Sequence, residues 1–89
     1  MSKHGYHVSD IQRGTFGEFS KITEEMLELT DAKEQGCEVM VLCELSYLYG
    51  AIRGYLTTHH PGITMSELEK MADITERAFV SGERCSRQD

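Results

Sequence analysis

Four glutamates in the first half of the chain have the spacing needed to bind a divalent cation between two helices. Glu24, Glu25 and Glu28 fall within about one helical turn, and Glu44 follows Glu28 after fifteen intervening residues. Mg²⁺ prefers oxygen ligands, and carboxylates on neighbouring helices can supply them together. The spacing therefore predicts an acidic seam that would bind such a cation.

Glu44 carries the strongest signal because it lies within an otherwise apolar helical face. Its neighbours three, four and seven positions away are Cys37, Met40, Val41, Tyr47, Leu48 and Ala51. None of these side chains neutralises a carboxylate, and burying an unpaired carboxylate costs several kcal/mol. A bound cation is one solution. An ion pair with Lys33, or with an arginine of a partner chain, is the alternative.

Three helices are predicted to position these carboxylates. Apolar residues recur at helical spacing over Phe16–Gln35, with Gly36 as the stop, and again from about Glu38 to Thr58. Thr64 opens a third helix, with Glu67 three residues later as in a capping box, and this helix ends at 81–82. The short first connection favours an antiparallel hairpin.

The second helix is apolar on more than one side, which is typical of a helix inside a bundle. A chain of 89 residues also buries little surface alone. We therefore expect an all-α fold, a helical hairpin plus a third helix, that assembles as a homodimer or homotetramer into a four-helix-type bundle. Residues 1–14 are predicted to be a flexible N-terminal arm, 15–82 the helical domain and 83–89 a polar tail.

Composition excludes several classes of function. The net charge of −6, without a basic stripe, argues against nucleic-acid binding. No apolar run reaches the roughly 18 residues of a membrane span. The N-terminus has no apolar signal core, and three cysteines are an odd number, so we expect a reduced, cytoplasmic protein. Arg77 and Arg84 are candidates for contacting phosphate, although pairing with the acidic first helix is favoured for them.

The acidic residues also match the pattern of a known family. The run Glu24-Glu25-Met26-Leu27-Glu28, followed after fifteen residues by Glu44-Leu45-Ser46-Tyr47, resembles the Glu-Glu-x-x-Glu and Glu-x-x-Asp signature of MazG-like all-α nucleoside triphosphate pyrophosphohydrolases. Small stand-alone phage members are the most similar in character. The resemblance covers roughly residues 16–56 and implies a location in the cytoplasm, that of the host if the protein is phage-encoded.

Carried over by position, the resemblance implies that Glu25, Glu28 and Glu44 bind Mg²⁺, with Mn²⁺ as a substitute. Glu24 would hold or activate the attacking water. The substrate would be a ribo- or deoxynucleoside triphosphate, cleaved between the α- and β-phosphates to a nucleoside monophosphate and pyrophosphate.

One position departs from the family pattern. Tyr47 stands where the family has its final aspartate, and a neutral phenol is a poor Mg²⁺ ligand. Reduced or lost turnover with a retained fold is therefore expected, and Asp31 is the candidate substitute carboxylate. The alternative interpretation is a non-catalytic helical module that binds a nucleotide or a protein partner.

Overall fold

The structure is a computed structural model that describes residues 10–81, and this part of the chain contains helices and no strand. Helix α1 spans Phe19–Gln35, α2 spans Glu38–His59 and α3 spans Met65–Ser81. The predicted all-α class with three helices is confirmed. The predicted arm over 1–14 lies mostly outside the described residues, and the predicted tail over 83–89 lies entirely outside them. None of the described helices is long and apolar enough to cross a membrane.

Helices α1 and α2 form an antiparallel hairpin, the main helix packing in the described part of the chain. The ring of Phe19, at the start of α1, lies 6.0 Å from that of Tyr55, near the end of α2. Gly36 makes the turn with a left-handed backbone, φ 76°, and its N–H donates to the carbonyl of Lys33 at 3.0 Å. Glycine adopts this conformation without a Cβ penalty, and the predicted helix stop is confirmed.

Helix α1 turns its acidic face toward α2. Its buried residues are Glu24, Glu25, Glu28, Asp31 and Ala32. Phe19 and Met26, two members of the predicted stripe, are 61% and 53% exposed. These apolar side chains of α1 are exposed because its acidic residues, which have several polar partners, take the buried positions.

The apolar core within one chain is small. The buried apolar residues of the described range are Ile11, Ala32 and Ala51. An apolar stripe on α2, on the side away from Glu44, is exposed; it consists of Val39, Leu42, Leu45 and Tyr49. Helix α3 packs far less closely on the hairpin than α1 packs on α2. The bundle predicted around α2 is therefore incomplete within a single chain.

Helix α3 begins with a reciprocal capping box. The N–H of Thr64 donates to Oε1 of Glu67 at 3.0 Å, and the N–H of Glu67 donates to Oγ1 of Thr64 at 3.1 Å. The side chains thereby satisfy two backbone donors at the helix start, where helical partners are lacking. The capping box predicted from the spacing of these two residues is confirmed.

Replacing Thr64 by alanine should loosen α3 and leave the hairpin unchanged. Loss of such a cap costs about 1 kcal/mol, and the weak packing of α3 should keep the effect local. Amide hydrogen exchange should accelerate about fivefold in the first turns of α3, with α1 and α2 unaffected. Ser66→Ala, at a neighbouring exposed position, is the control. An equal loss of protection in α1 would contradict this expectation.

Candidate metal centre

Three glutamates of α1 bring their carboxylates together against α2. Glu24, Glu25 and Glu28 each offer one oxygen, and these oxygens all lie within 4.8 Å of one another. Each of the three residues is at most 5% exposed. Glu44 of α2 is fully buried and is hydrogen-bonded to Glu28. The structure thus places the four glutamates singled out by the sequence in one cluster, and Glu44 faces inward as predicted.

The cluster forms where two helices can approach closely. Glu28 lies beside both Glu24 and Glu25 because residues three and four apart are neighbours on a helix of 3.6 residues per turn. The buried neighbours Ala32 of α1 and Ala51 of α2 are 0% and 2% exposed. Side chains this small permit the two helices to approach each other closely.

Glu24 is held by two donors. Its Oε1 accepts the N–H of Gly14 at 2.8 Å and contacts Nζ of Lys21 at 3.1 Å. A Cβ on Gly14 would overlap the backbone of Ser20 and Lys21, so a glycine is required for this approach. Burial alone would raise the pKa of Glu24, but the Gly14 N–H and the Lys21 ammonium outweigh burial and hold that pKa below its ordinary value.

Glu28 has the opposite electrostatic environment. Burial, together with the negative charges of Glu25 and Glu44, raises its pKa to about 8. Without a cation, Glu28 therefore keeps its proton at neutral pH. Neighbouring carboxylates with pKa values displaced in opposite directions are frequent at functional sites.

Glu25 provides the observation that points to a ligand. Its Oε2 lies 3.2 Å from Nζ of Lys21, but its Oε1 is buried with no hydrogen-bond partner in the described part of the chain. Leaving a buried carboxylate oxygen unsatisfied is costly. A donor set made only of carboxylate oxygens fits Mg²⁺ or Mn²⁺ rather than a metal that prefers nitrogen or sulfur.

An open cleft of about 490 Å³ lies beside the cluster. The three α1 glutamates line it, together with Arg13, Lys21, Tyr47 and others. Tyr47 is half exposed there. The residue that differs from the aspartate of the MazG-like pattern therefore lines the same cleft as the glutamates.

The places of Arg13 and Lys21 in this cleft were not predicted from the sequence. Arg13 belongs to a segment without periodicity, and no local pattern marked it. The spacing of Lys21 before Glu24 and Glu25 was the available signal for its role.

The other residues that the sequence suggested as partners of the site lie outside the glutamate cluster. Lys33 pairs with Glu38 at 3.3 Å on the exposed surface, so it does not take the predicted place beside Glu44. Asp31 is buried outside the three-glutamate group and accepts a hydrogen bond from Nε2 of Gln35 at 3.1 Å. Arg77 is not among the residues lining the cleft, and Arg84 lies outside the described residues.

The arrangement is a buried group of carboxylates in a helical hairpin, beside a cleft that is also lined by two basic side chains. No family model, curated protein or solved structure matches the chain. The chemistry of the site is therefore argued from the residues themselves.

The stability of the cation-free protein should fall as pH rises from about 5 to 8. The folded chain keeps the Glu28 proton up to pH about 8, whereas the unfolded chain loses it near 4.5. The folded state thus binds the extra proton between these values, and each pH unit costs up to about 1.4 kcal/mol. Melting curves in EDTA should show Tm falling by roughly 5 °C per unit and levelling above pH 8.

Glu28→Gln is the control for this pH dependence, since glutamine does not titrate. Its melting temperature should change much less between pH 5 and 8. The lowered pKa of Glu24 acts below this range and in the opposite direction, so it does not mask the effect. Equal slopes for Glu28→Gln and the unmodified chain would show that Glu28 is not the titrating group.

Proposed function

We propose that this chain is a Mg²⁺-dependent nucleoside triphosphate pyrophosphohydrolase that releases pyrophosphate and a nucleoside monophosphate. The observation that carries the proposal is the buried glutamate cluster beside an open cleft. Mg²⁺ is commonly held by one or two carboxylates, retained waters and substrate phosphates. The cluster supplies the carboxylates, and the cleft supplies room for water and phosphates.

The residues have distinct roles in this proposal. Glu25, Glu28 and Glu44 would hold the cation. Glu24 would hold or activate the attacking water, with its carboxylate positioned by the Gly14 N–H. When bound, Mg²⁺ would lower the pKa of water and stabilise negative charge on the phosphate oxygens.

Tyr47 is the reason that we expect slow or no hydrolysis of nucleoside triphosphates. It lines the cleft beside the glutamates but offers a neutral phenol where the MazG-like pattern has a carboxylate. Removing one anionic ligand weakens the hold on a cation and on the triphosphate attached to it. We therefore propose a slow or inactive form of this hydrolase.

Pyrophosphate release from a panel of ribo- and deoxynucleoside triphosphates tests this proposal. With Mg²⁺, Tyr47→Asp should turn over at least tenfold faster than the unmodified chain, because the new carboxylate enters the same cleft. Glu25→Gln added to Tyr47→Asp should abolish this gain. Equal rates for the unmodified chain and Tyr47→Asp would show that the site needs no fourth ligand. No release from either protein would remove the hydrolase proposal.

The second candidate function is a non-catalytic module that binds a nucleotide or a protein partner, and Tyr47 is the residue that favours it. Thermal shift separates these possibilities. Stabilisation only when Mg²⁺ and a nucleotide are both present supports a metal–nucleotide site. A protein-binding module would respond to neither.

We further propose that the chain functions as a homo-oligomer. The exposed α2 stripe defined above lies opposite Glu44, and α3 carries an apolar groove lined by Leu68, Met71, Ala72, Thr75, Glu76 and Phe79. Two apolar surfaces on a chain with a small core are typical of subunits that bury them against copies. A homodimer completing a four-helix bundle would cover both surfaces.

Leu42→Glu should dissociate this oligomer. Leu42 is 66% exposed in the single chain, so the charge should leave the hairpin folded but should be buried at the subunit interface. Light scattering after size exclusion should give the monomer mass for Leu42→Glu. Val80→Glu, a matched change at a residue 81% exposed and outside both apolar surfaces, should retain the oligomer. A monomeric unmodified chain would contradict the proposal.

A further inference from the structure

We propose that Lys21 is an internal counter-ion that a divalent cation displaces, and that the displaced ammonium, with Arg13, forms an anion-binding half of the cleft. The inference rests on the proposed function only for the presence of the cation site. It adds the chemistry of what binds beside the cation: an anion of the pyrophosphate or polyphosphate type.

The Lys21 ammonium offsets part of the negative charge of the glutamates. Its Nζ lies 3.1 Å from Oε1 of Glu24 and 3.2 Å from Oε2 of Glu25, bridging two members of the three-glutamate group. These two carboxylates raise the pKa of Lys21 above its ordinary value, although its burial acts in the other direction. The ammonium is therefore the charge that offsets this pair of glutamates in the cation-free protein.

A divalent cation held by Glu25, Glu28 and Glu44 would compete with this ammonium for the carboxylate of Glu25. Like charges that share ligands a few ångströms apart repel strongly, most of all where water is excluded. The divalent ion carries twice the charge and satisfies the buried Oε1 of Glu25 as well, so it should prevail. A lysine side chain, with its flexible four-carbon stem, moves at small cost.

The structure offers the ammonium a place to go. The Lys21 side chain is 28% exposed and lines the cleft, which Arg13 also lines. Once released, Lys21 would add a second positive group to that of Arg13. Arginine binds phosphate oxygens in pairs, and lysine binds them as a point charge. Two such groups beside a cation recognise a cation-complexed polyphosphate.

The inference predicts that one substitution, Lys21→Met, changes the affinities for Mn²⁺ and for pyrophosphate in opposite directions. Lys21→Met removes the competitor, so Mn²⁺ alone should bind about tenfold more tightly than to the unmodified chain. The same change removes half of the anion site, so the manganese–pyrophosphate complex at saturating Mn²⁺ should bind about tenfold more weakly. A lysine that merely supported the fold would weaken both.

Isothermal titration with Mn²⁺, then with pyrophosphate at saturating Mn²⁺, measures both effects on the full chain. Lys33→Met is the matched control, because Lys33 forms an exposed ion pair away from the cleft. It should change either affinity less than twofold. Arg13→Met should weaken pyrophosphate binding and leave Mn²⁺ binding unchanged. Circular dichroism verifies that each variant is folded, and Lys21→Arg, which keeps the charge, should retain pyrophosphate binding.

The outcomes separate the two proposals. If the unmodified chain binds no Mn²⁺, the cation site and the proposed function fail together with this inference. If the unmodified chain binds Mn²⁺ but Lys21→Met binds it no more tightly, the counter-ion role is wrong and the cation site stands. Undiminished pyrophosphate binding in Lys21→Met likewise overturns the anion role alone.

Discussion

Burial of four carboxylates between two helices is the constraint on which the rest of the hairpin depends. Charged groups removed from water destabilise the folded state unless each is paired, hydrogen-bonded or neutralised. The chain uses three such means: an ammonium from Lys21, a backbone donor from Gly14 and a retained proton on Glu28. The first two come from residues just before the cluster in the sequence, so α1 and the segment preceding it stabilise the site together.

Features decided by neighbouring residues were predictable from the sequence. The three helices, the left-handed Gly36 and the Thr64–Glu67 capping box each depend on residues within a few positions. The inward direction of Glu44 was predictable too, since its helical neighbours are all uncharged.

Features that depend on distant contacts were not predictable. The apolar periodicity of α1 does not by itself show how completely its acidic side is buried. That burial depends on Lys21, Gly14 and the second helix acting together, and no local pattern reports their combined effect. Arg13 reaches the cleft through a segment without regular structure. The amphipathic pattern of α3 correctly indicated a helix, but it contained no information on how little this helix packs on its own hairpin.

The hydrogen bond from Gly14 to Glu24 ties the backbone before α1 to the charge of the site. Because thermodynamic coupling is reciprocal, whatever changes the ionisation of Glu24 also changes how firmly residues 10–18 are held. A ligand that changes the ionisation of Glu24 would therefore alter the exposure of this segment to proteases. Conversely, a partner that pulls the segment away would raise the proton affinity of Glu24 without entering the cleft.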